Sequence, residues 1–199
     1  MTTIVNKLYD NYGEAVSAIN ALESAGISHN DISIVANGVS SKNDPTHKDA
    51  GAKGAGGGAA AGAVAGGGAG LLAGLGMLAI PGVGPVVAAG WLIATAAGAA
   101  VGASAGAATG GIVGRLTEYQ VSKKDAELYA EAIRRGSALV SVKADDKEIG
   151  KVETILERFK SVDPSLRRSR YEEDNWTSFD PNAPAYTAAQ IEAERTHYR

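Results

Sequence analysis

The stretch GAGGGAAAGAVAGGGAGLLAGLGMLAIPGVGPVVAAGWLIATAAGAAVGASAGAATGGIVG, residues 54–114, contains no Lys, Arg, Asp or Glu. All 41 charged residues of the 199-residue chain therefore fall in the other 138. The stretch also holds 20 of the 26 glycines together with 20 alanines, which makes the chain a charged polypeptide interrupted by a small-residue insertion. Position is more informative than content. Gly54, Gly58, Gly62, Gly66, Gly70 and Gly74 recur every four residues, as do Gly98, Gly102, Gly106, Gly110 and Gly114. Eleven glycines in helices would oppose helix formation by about 10 kcal/mol relative to alanine, unless close backbone approach between helices offsets that cost. An interval of four against 3.6 residues per turn drifts by about 40° per step, so a continuous glycine seam requires a right-handed crossing. A disordered Gly/Ala linker would show no such phasing. Between the two files, AIPGVGP (79–85) places Pro81, Gly82, Gly84 and Pro85 where a chain reverses. The pattern predicts an antiparallel helical hairpin over 54–114 with its turn at 79–85, the glycine files packing helix on helix within and between subunits.

Bulky apolar residues gather about that turn. Leu71, Leu72, Leu75, Met77, Leu78 and Ile80 precede it, and Val86, Val87, Trp91, Leu92 and Ile93 follow it. Helical arms of about 25 to 30 residues would measure about 38 to 45 Å, enough for a hydrocarbon core of about 30 Å. Their large side chains supply only about −3 kcal/mol of insertion free energy per arm, so a packed hairpin inserts better than a lone arm. Lys42, Lys48, Lys53, Arg115, Lys123 and Lys124 lie near the base and no basic residue lies at the turn, which puts the charged parts on the cytosolic side. Leu71, Leu72, Leu75, Leu78, Ile80, Trp91, Leu92 and Ile93 are then the membrane-facing apex. Met1 to Lys7 lacks the charge and apolar pattern of a cleavable signal peptide.

Outside the insertion the periodicities are those of a small α+β fold. Thr3 to Leu8 reads as a strand, and Asn11 with Glu14 opens a helix carrying Ala15, Ile19 and Leu22 that Gly26 stops. Asp31 to Ala36 is a second strand. Ser122 and Asp125 open a helix with Ala126, Tyr129, Ala130 and Ile133 on one stripe, closed by Gly136. Ala138 to Ala144 alternates as a strand, and Asp145 to Phe159 follows as a helix with Ile149, Val152 and Leu156 together. Residues 1–53 and 115–163 are each too small to bury a core alone, so they are expected to fold together as one α+β sandwich split by the insertion. Pro164, Pro181 and Pro184 punctuate a polar segment, 164–199, that reads as a disordered tail with a short final helix from Thr187. Its Tyr171, Trp176, Phe179, Tyr186 and Tyr198 are candidate anchors for an unknown protein partner.

Several function classes find no support in the residues. A net charge of −3 lacks the basic footprint of a nucleic-acid binder. With no cysteine there is no disulfide, thiolate cluster or cysteine nucleophile, and His29, His47 and His197 are scattered without metal-ligand spacing. The dinucleotide fingerprint G-x-G-x-x-G and the Walker A loop are missing. Asp145-Asp146 and Glu172-Glu173-Asp174 read as a helix-start dipole partner and a solvated charge run. No catalytic residue, metal site or cofactor is expected.

Glu14-Ala15, Ala18-Ile19, Leu22, Ala25-Gly26-Ile27 and Asp31 to Val35, with LLAGLGMLAIPGVGPVVAAG (71–90) and Arg135 to Val142, resemble the bacterial general stress protein 17M type, also described as heat-induced stress protein domains. The resemblance spans Thr2 to Asp163 and is most specific over Ile80 to Pro85. It implies a bacterial stress-responsive protein whose small α+β domain is ferredoxin-like and split by a glycine-zipper hairpin, with no family catalytic residue. The resulting expectation is a non-enzymatic, membrane-associated structural protein of the cytoplasmic membrane, its partners being membrane lipid and further copies of itself. The alternative is a cytoplasmic, self-assembling scaffold, filament or shell in which hairpins pack between subunits. A small-molecule sensor built on the α+β domain is a third reading.

Overall fold

The computed structural model describes residues 2–43, 76–80, 82–92 and 111–197. In chain order these form β1 (Thr2–Tyr9), α1 (Tyr12–Ser24), β2 (Ile32–Asn37), α2 (Gly38–Asn43), β3 (Gly76–Ile80), β4 (Gly84–Gly90), α3 (Gly111–Glu118), α4 (Lys123–Arg134), β5 (Ala138–Asp145), α5 (Ile149–Glu157), β6 (Ser161–Val162), α6 (Pro164–Glu173) and α7 (Ala188–His197). The fold is α+β. Its six strands form one antiparallel sheet in the order β3-β4-β2-β5-β1-β6.

The local signals act where the residues place them. Asn11 caps α1, its side chain accepting from the Gly13 amide at 2.7 Å, and Gly26 leaves the helix at φ +88°. Ser122 caps α4 by accepting from the Asp125 amide at 3.1 Å. Helix α5 begins at Ile149, later than the periodicity suggests, because β5 runs on through Asp145 in pairing with β1.

Strand β5 lies between β1 and β2, with Val142 opposite both Val5 and Ile32. The two halves of the chain therefore share one sheet. Side chains alternate across it, as the two-residue period of a strand requires. Val5, Tyr9, Ile32, Ile34, Val140 and Val142 meet α1 and α5 on one face. Leu8, Val35 and Leu139 meet α3, α4 and the Tyr171–Trp176 region on the other. Helices thus cover both faces, and each buried Leu, Ile or Val side chain contributes about 1.5–3 kcal/mol.

The helical hairpin is corrected within the described residues: 76–80 and 84–90 are strands of a β-hairpin, reversing between Ile80 and Gly84. The four-residue glycine interval ends at Gly74 and resumes at Gly98, so nothing sustains a helical seam here. Val86 and Val87 are β-branched and favour the pleated sheet. Pro85 sits one residue beyond the last pair between β4 and β2, Asn37 with Val86, where its missing donor breaks no bond to β2. Gly54, Gly58, Gly62, Gly66, Gly70, Gly74, Gly98, Gly102, Gly106 and Gly110 lie outside the described residues, as do Pro81, Leu71, Leu72, Leu75 and Ile93. Gly114 is in α3, and a Cβ built on it would meet nothing within 4 Å.

Two apex residues are also corrected. Trp91 and Leu92 are buried in the second core cluster, 7% and 1% exposed. Trp91 stacks edge-on against Tyr119 with centroids 4.8 Å apart, and the Lys143 ammonium lies 4.5 Å from the Trp91 centroid. An indole held between a strand cation and a second ring belongs to the domain's interior. Ile80 is half-buried at the margin of the same cluster, and Leu78 is in β3.

The expected disordered tail is folded through His197. Asp163 caps α6 by accepting from the Ser165 and Leu166 amides, with Pro164 at the first helical turn. Those bonds hold the exposed Asp163 carboxyl below its usual range, the Ser165 hydroxyl contributing most. Tyr171 and Trp176 are buried against α4 rather than presented to a partner, and Tyr186 lies beside the Arg134 and Arg135 guanidiniums. The segment between α6 and α7 crosses the hairpin turn so closely that a Cβ on Gly82 would lie 2.5 Å from Pro181 Cα. Thr187 and Gln190 form a reciprocal capping box before α7, whose Ile191 is buried beside Gly136.

What holds this segment down is an ion cluster at the end of α4. Glu131, fully buried, accepts from Arg134 at 2.6 and 3.0 Å and from Arg135 at 2.7 Å. Arg135 also reaches Glu194 of α7 at 2.7 Å, and its guanidinium lies 4.1 Å from the Tyr171 ring centroid. Burial works against that charge, but the hydrogen bond and charge of Glu131, with Tyr171 and Glu194, raise the Arg135 pKa above its ordinary value. Arg167 of α6 meets Asp10 at 2.6 Å, and Asp10 also accepts from Ser137 at 3.0 Å. The Arg135–Glu194 and Arg167–Asp10 pairs therefore tie the C-terminal helices to the ends of α4 and β1.

Candidate functional site

The candidate site follows from the shortness of β6. Asp163 and Pro164 turn the chain into α6 at once, so Ser161 and Val162 pair only with Tyr9 and Leu8. Along Thr3 to Lys7, no strand among the described residues covers the outer edge of β1. In an antiparallel sheet alternate residues direct both N–H and C=O outward, so this run presents a ladder without a partner strand.

That edge is the floor of a groove of about 650 Å³. One wall is the α3–α4 corner, Glu118 to Ser122, with Asp125 and Tyr129, and the other is Ile149 and Glu153 of α5. The corner is rigidly built: the Tyr119 and Val121 amides both donate to the Leu116 carbonyl, at 3.2 and 3.1 Å. Gln120 between them takes φ +64°. Asp125 accepts from the Ser122 hydroxyl at 2.6 Å and from Arg168 at 2.8 Å, fixing the wall to α6.

Most charges at the rim are already paired. Lys7 meets Glu157 at 2.8 Å, Glu118 pairs with Arg115, and Asp125 with Arg168. The Tyr129 hydroxyl makes no hydrogen bond to any described residue, and burial, reinforced by Asp125 and opposed by Arg168, raises its pKa to about 12. At neutral pH the groove wall thus carries a phenol that can donate or accept. The arrangement offers backbone donors and acceptors between largely polar walls whose charges are mostly paired, which suits an extended polypeptide.

Sequence reasoning pointed elsewhere. The glycine files and the apex about their turn carried the predicted site, and of its described members Gly114, Trp91 and Leu92 do not line the groove, though Trp91 stacks behind Tyr119 of its wall, while Gly82, Gly84 and Pro85 belong to the β3–β4 hairpin. Pro164, two residues beyond the Ser161–Val162 pair, was the available signal that the strand beside β1 stops early. No helix of the described residues is long and apolar enough to cross a membrane. Among the same residues no group of three or more His, Asp or Glu is placed to hold a metal ion.

Residues 5–81 match the family model of the heat induced stress protein YflT domain. No curated protein and no solved structure matches the chain. The matched span contains β1, β2 and β3 but neither β4 nor β5, the strands that pair with them in this sheet.

Proposed function

We propose, starting from the match of residues 5–81 to the heat induced stress protein domain, that the chain serves the stress response by association and not by catalysis. The groove beside β1 is the association site, and its ligand is an extended polypeptide strand added to the free edge. The carrying observation is the five-residue run Thr3 to Lys7, left without a partner strand at the floor of a walled groove. Main-chain bonds would supply affinity, and the walls would select side chains facing Tyr119 and Ile149. The ferredoxin-like reading of the domain draws its support from the order β6-β1-β5-β2, in which β1-α1-β2 encloses β5 and β5-α5-β6 encloses β1.

Amide hydrogen exchange tests this directly. A seven-residue peptide of alternating valine and threonine, added in excess to the full chain, should slow exchange within Thr3 to Lys7 by on the order of tenfold while leaving β5 unchanged. Unaltered exchange along β1 at every peptide concentration would end the reading.

A second reading, attachment to the cytoplasmic membrane through 54–75 and 93–110, is favoured by the absence of any charged residue from both segments. On that reading alkaline carbonate leaves the full chain in the membrane pellet. Complete release into the wash would dispose of it.

A further inference from the structure

We infer that the strand received by the β1 groove is β3 of a second copy of this chain, an inference that rests on the strand-accepting reading above. Strand β3 forms the opposite edge of the same sheet, and β4 is the only described element it packs on extensively. Its sequence, GMLAI, has no charge, no proline and no lysine, so it lacks the usual guards against edge pairing. Met77 on this strand is 57% exposed, the largest exposure of a bulky apolar side chain among the described residues.

The two edges are complementary in length, shape and charge. Strand β3 has five residues, and the run of β1 without a partner on this side, Thr2 to Lys7, is long enough to take all of them. The β1 edge is recessed between two walls, whereas β3 stands at the margin of the sheet with no strand beyond it among the described residues. Two β1 edges facing each other would bring the walls of both copies together before the backbones reached the strand spacing of about 4.8 Å. Strand β3, which no wall flanks among the described residues, meets no such obstacle. An uncharged strand also leaves the Lys7–Glu157 and Asp125–Arg168 pairs intact, because it brings no charge to compete for them.

Because the donating and receiving edges differ, the contact is heterologous. Each copy that accepts a strand still offers its own β3, and the product is an open chain of copies whose length rises with concentration.

Sedimentation velocity and hydrogen exchange on the full chain across a concentration series test the inference. Mass is expected to climb with concentration, and exchange at Thr3 to Lys7 and at Gly76 to Ile80 to slow together by on the order of tenfold. Met77→Lys places a charge on the donating edge and is expected to abolish the growth in mass while keeping the urea midpoint. The exchange pattern of the unmodified chain decides the matter even if that variant misfolds. Protection at β1 alone, growth without protection of either edge, or a monomer at every concentration overturns the second-copy assignment. If the chain stays monomeric yet the valine–threonine peptide protects β1, the groove reading stands and only its occupant is wrong. If neither copy nor peptide protects β1, both fall.

Discussion

Glu131→Ala is expected to destabilise the protein by about 3–5 kcal/mol, the range for removing one partner of a buried charge cluster. The Glu131 side chain is fully buried and accepts from two guanidiniums, Arg134 and Arg135, whose own side chains are 12% and 7% exposed. Its loss leaves Arg134 without the carboxylate that it grips in bidentate fashion, and leaves Arg135 to Glu194 and Asp174. The damage extends beyond α4. Arg135 is the cation beneath the Tyr171 ring and the tie to α7, so a displaced guanidinium loosens both C-terminal helices. Urea unfolding of the full chain should show the loss as a lower midpoint with an unchanged slope. Glu131→Gln keeps the shape and an acceptor oxygen, and should cost less than the alanine variant. A change below about 1 kcal/mol for Glu131→Ala would mean that the cluster contributes no more than an exposed ion pair.

Gly90→Ala is expected to cost about 3 kcal/mol or more, through two effects at one position. Gly90 has φ +92°, where a side chain costs about 1–3 kcal/mol. A Cβ there would also lie 2.2 Å from the Ile32 carbonyl oxygen and 2.7 Å from Ser33 Cα, both backbone atoms of the neighbouring strand. Gly90 pairs with Ser33, and the Ser33 hydroxyl donates to the Ala89 carbonyl at 2.9 Å, so β2 cannot retreat without breaking its ladder to β4. Gly26 provides the control: its φ is +88°, but a Cβ there would meet nothing within 4 Å. Thermal unfolding of the two alanine variants should therefore show the larger loss for Gly90, the difference measuring close approach alone. Equal losses would show that conformation, and not the neighbouring strand, sets the cost.

Much of the domain was legible because its signals are local. Asn11 and Gly26 bound α1, Ser122 and Gly136 bound α4 and its exit, and the alternation of Val140 and Val142 marks β5. Each depends on residues within one turn or one strand. The 76–90 segment was misread because a four-residue glycine rhythm on either side was carried across it. The C-terminal segment was misread for the opposite reason. Its polar composition looks like a solvated tail, and its few anchors, Tyr171, Trp176 and Ile191, become buried only when α4 and the Glu131–Arg135 cluster stand opposite them.

The candidate site was hardly legible at all. An edge strand exists only by virtue of what fails to pair with it, and pairing is decided between residues far apart in sequence. Thr3 to Lys7 and Ser161 to Val162 each read as ordinary extended segments. That they meet only at Leu8 and Tyr9 depends on where α6 is pulled by Arg167 and Arg168 toward Asp10 and Asp125. By itself, then, the sequence determined the α+β class, the caps, the main helices and the charge-free division of the chain, because those follow from short-range periodicity and composition. Only the tertiary structure decided that β5 separates β1 from β2, that Trp91 is interior, and that one sheet edge stays open within a groove. Those outcomes are set by long-range burial and ion pairing, which no local pattern encodes.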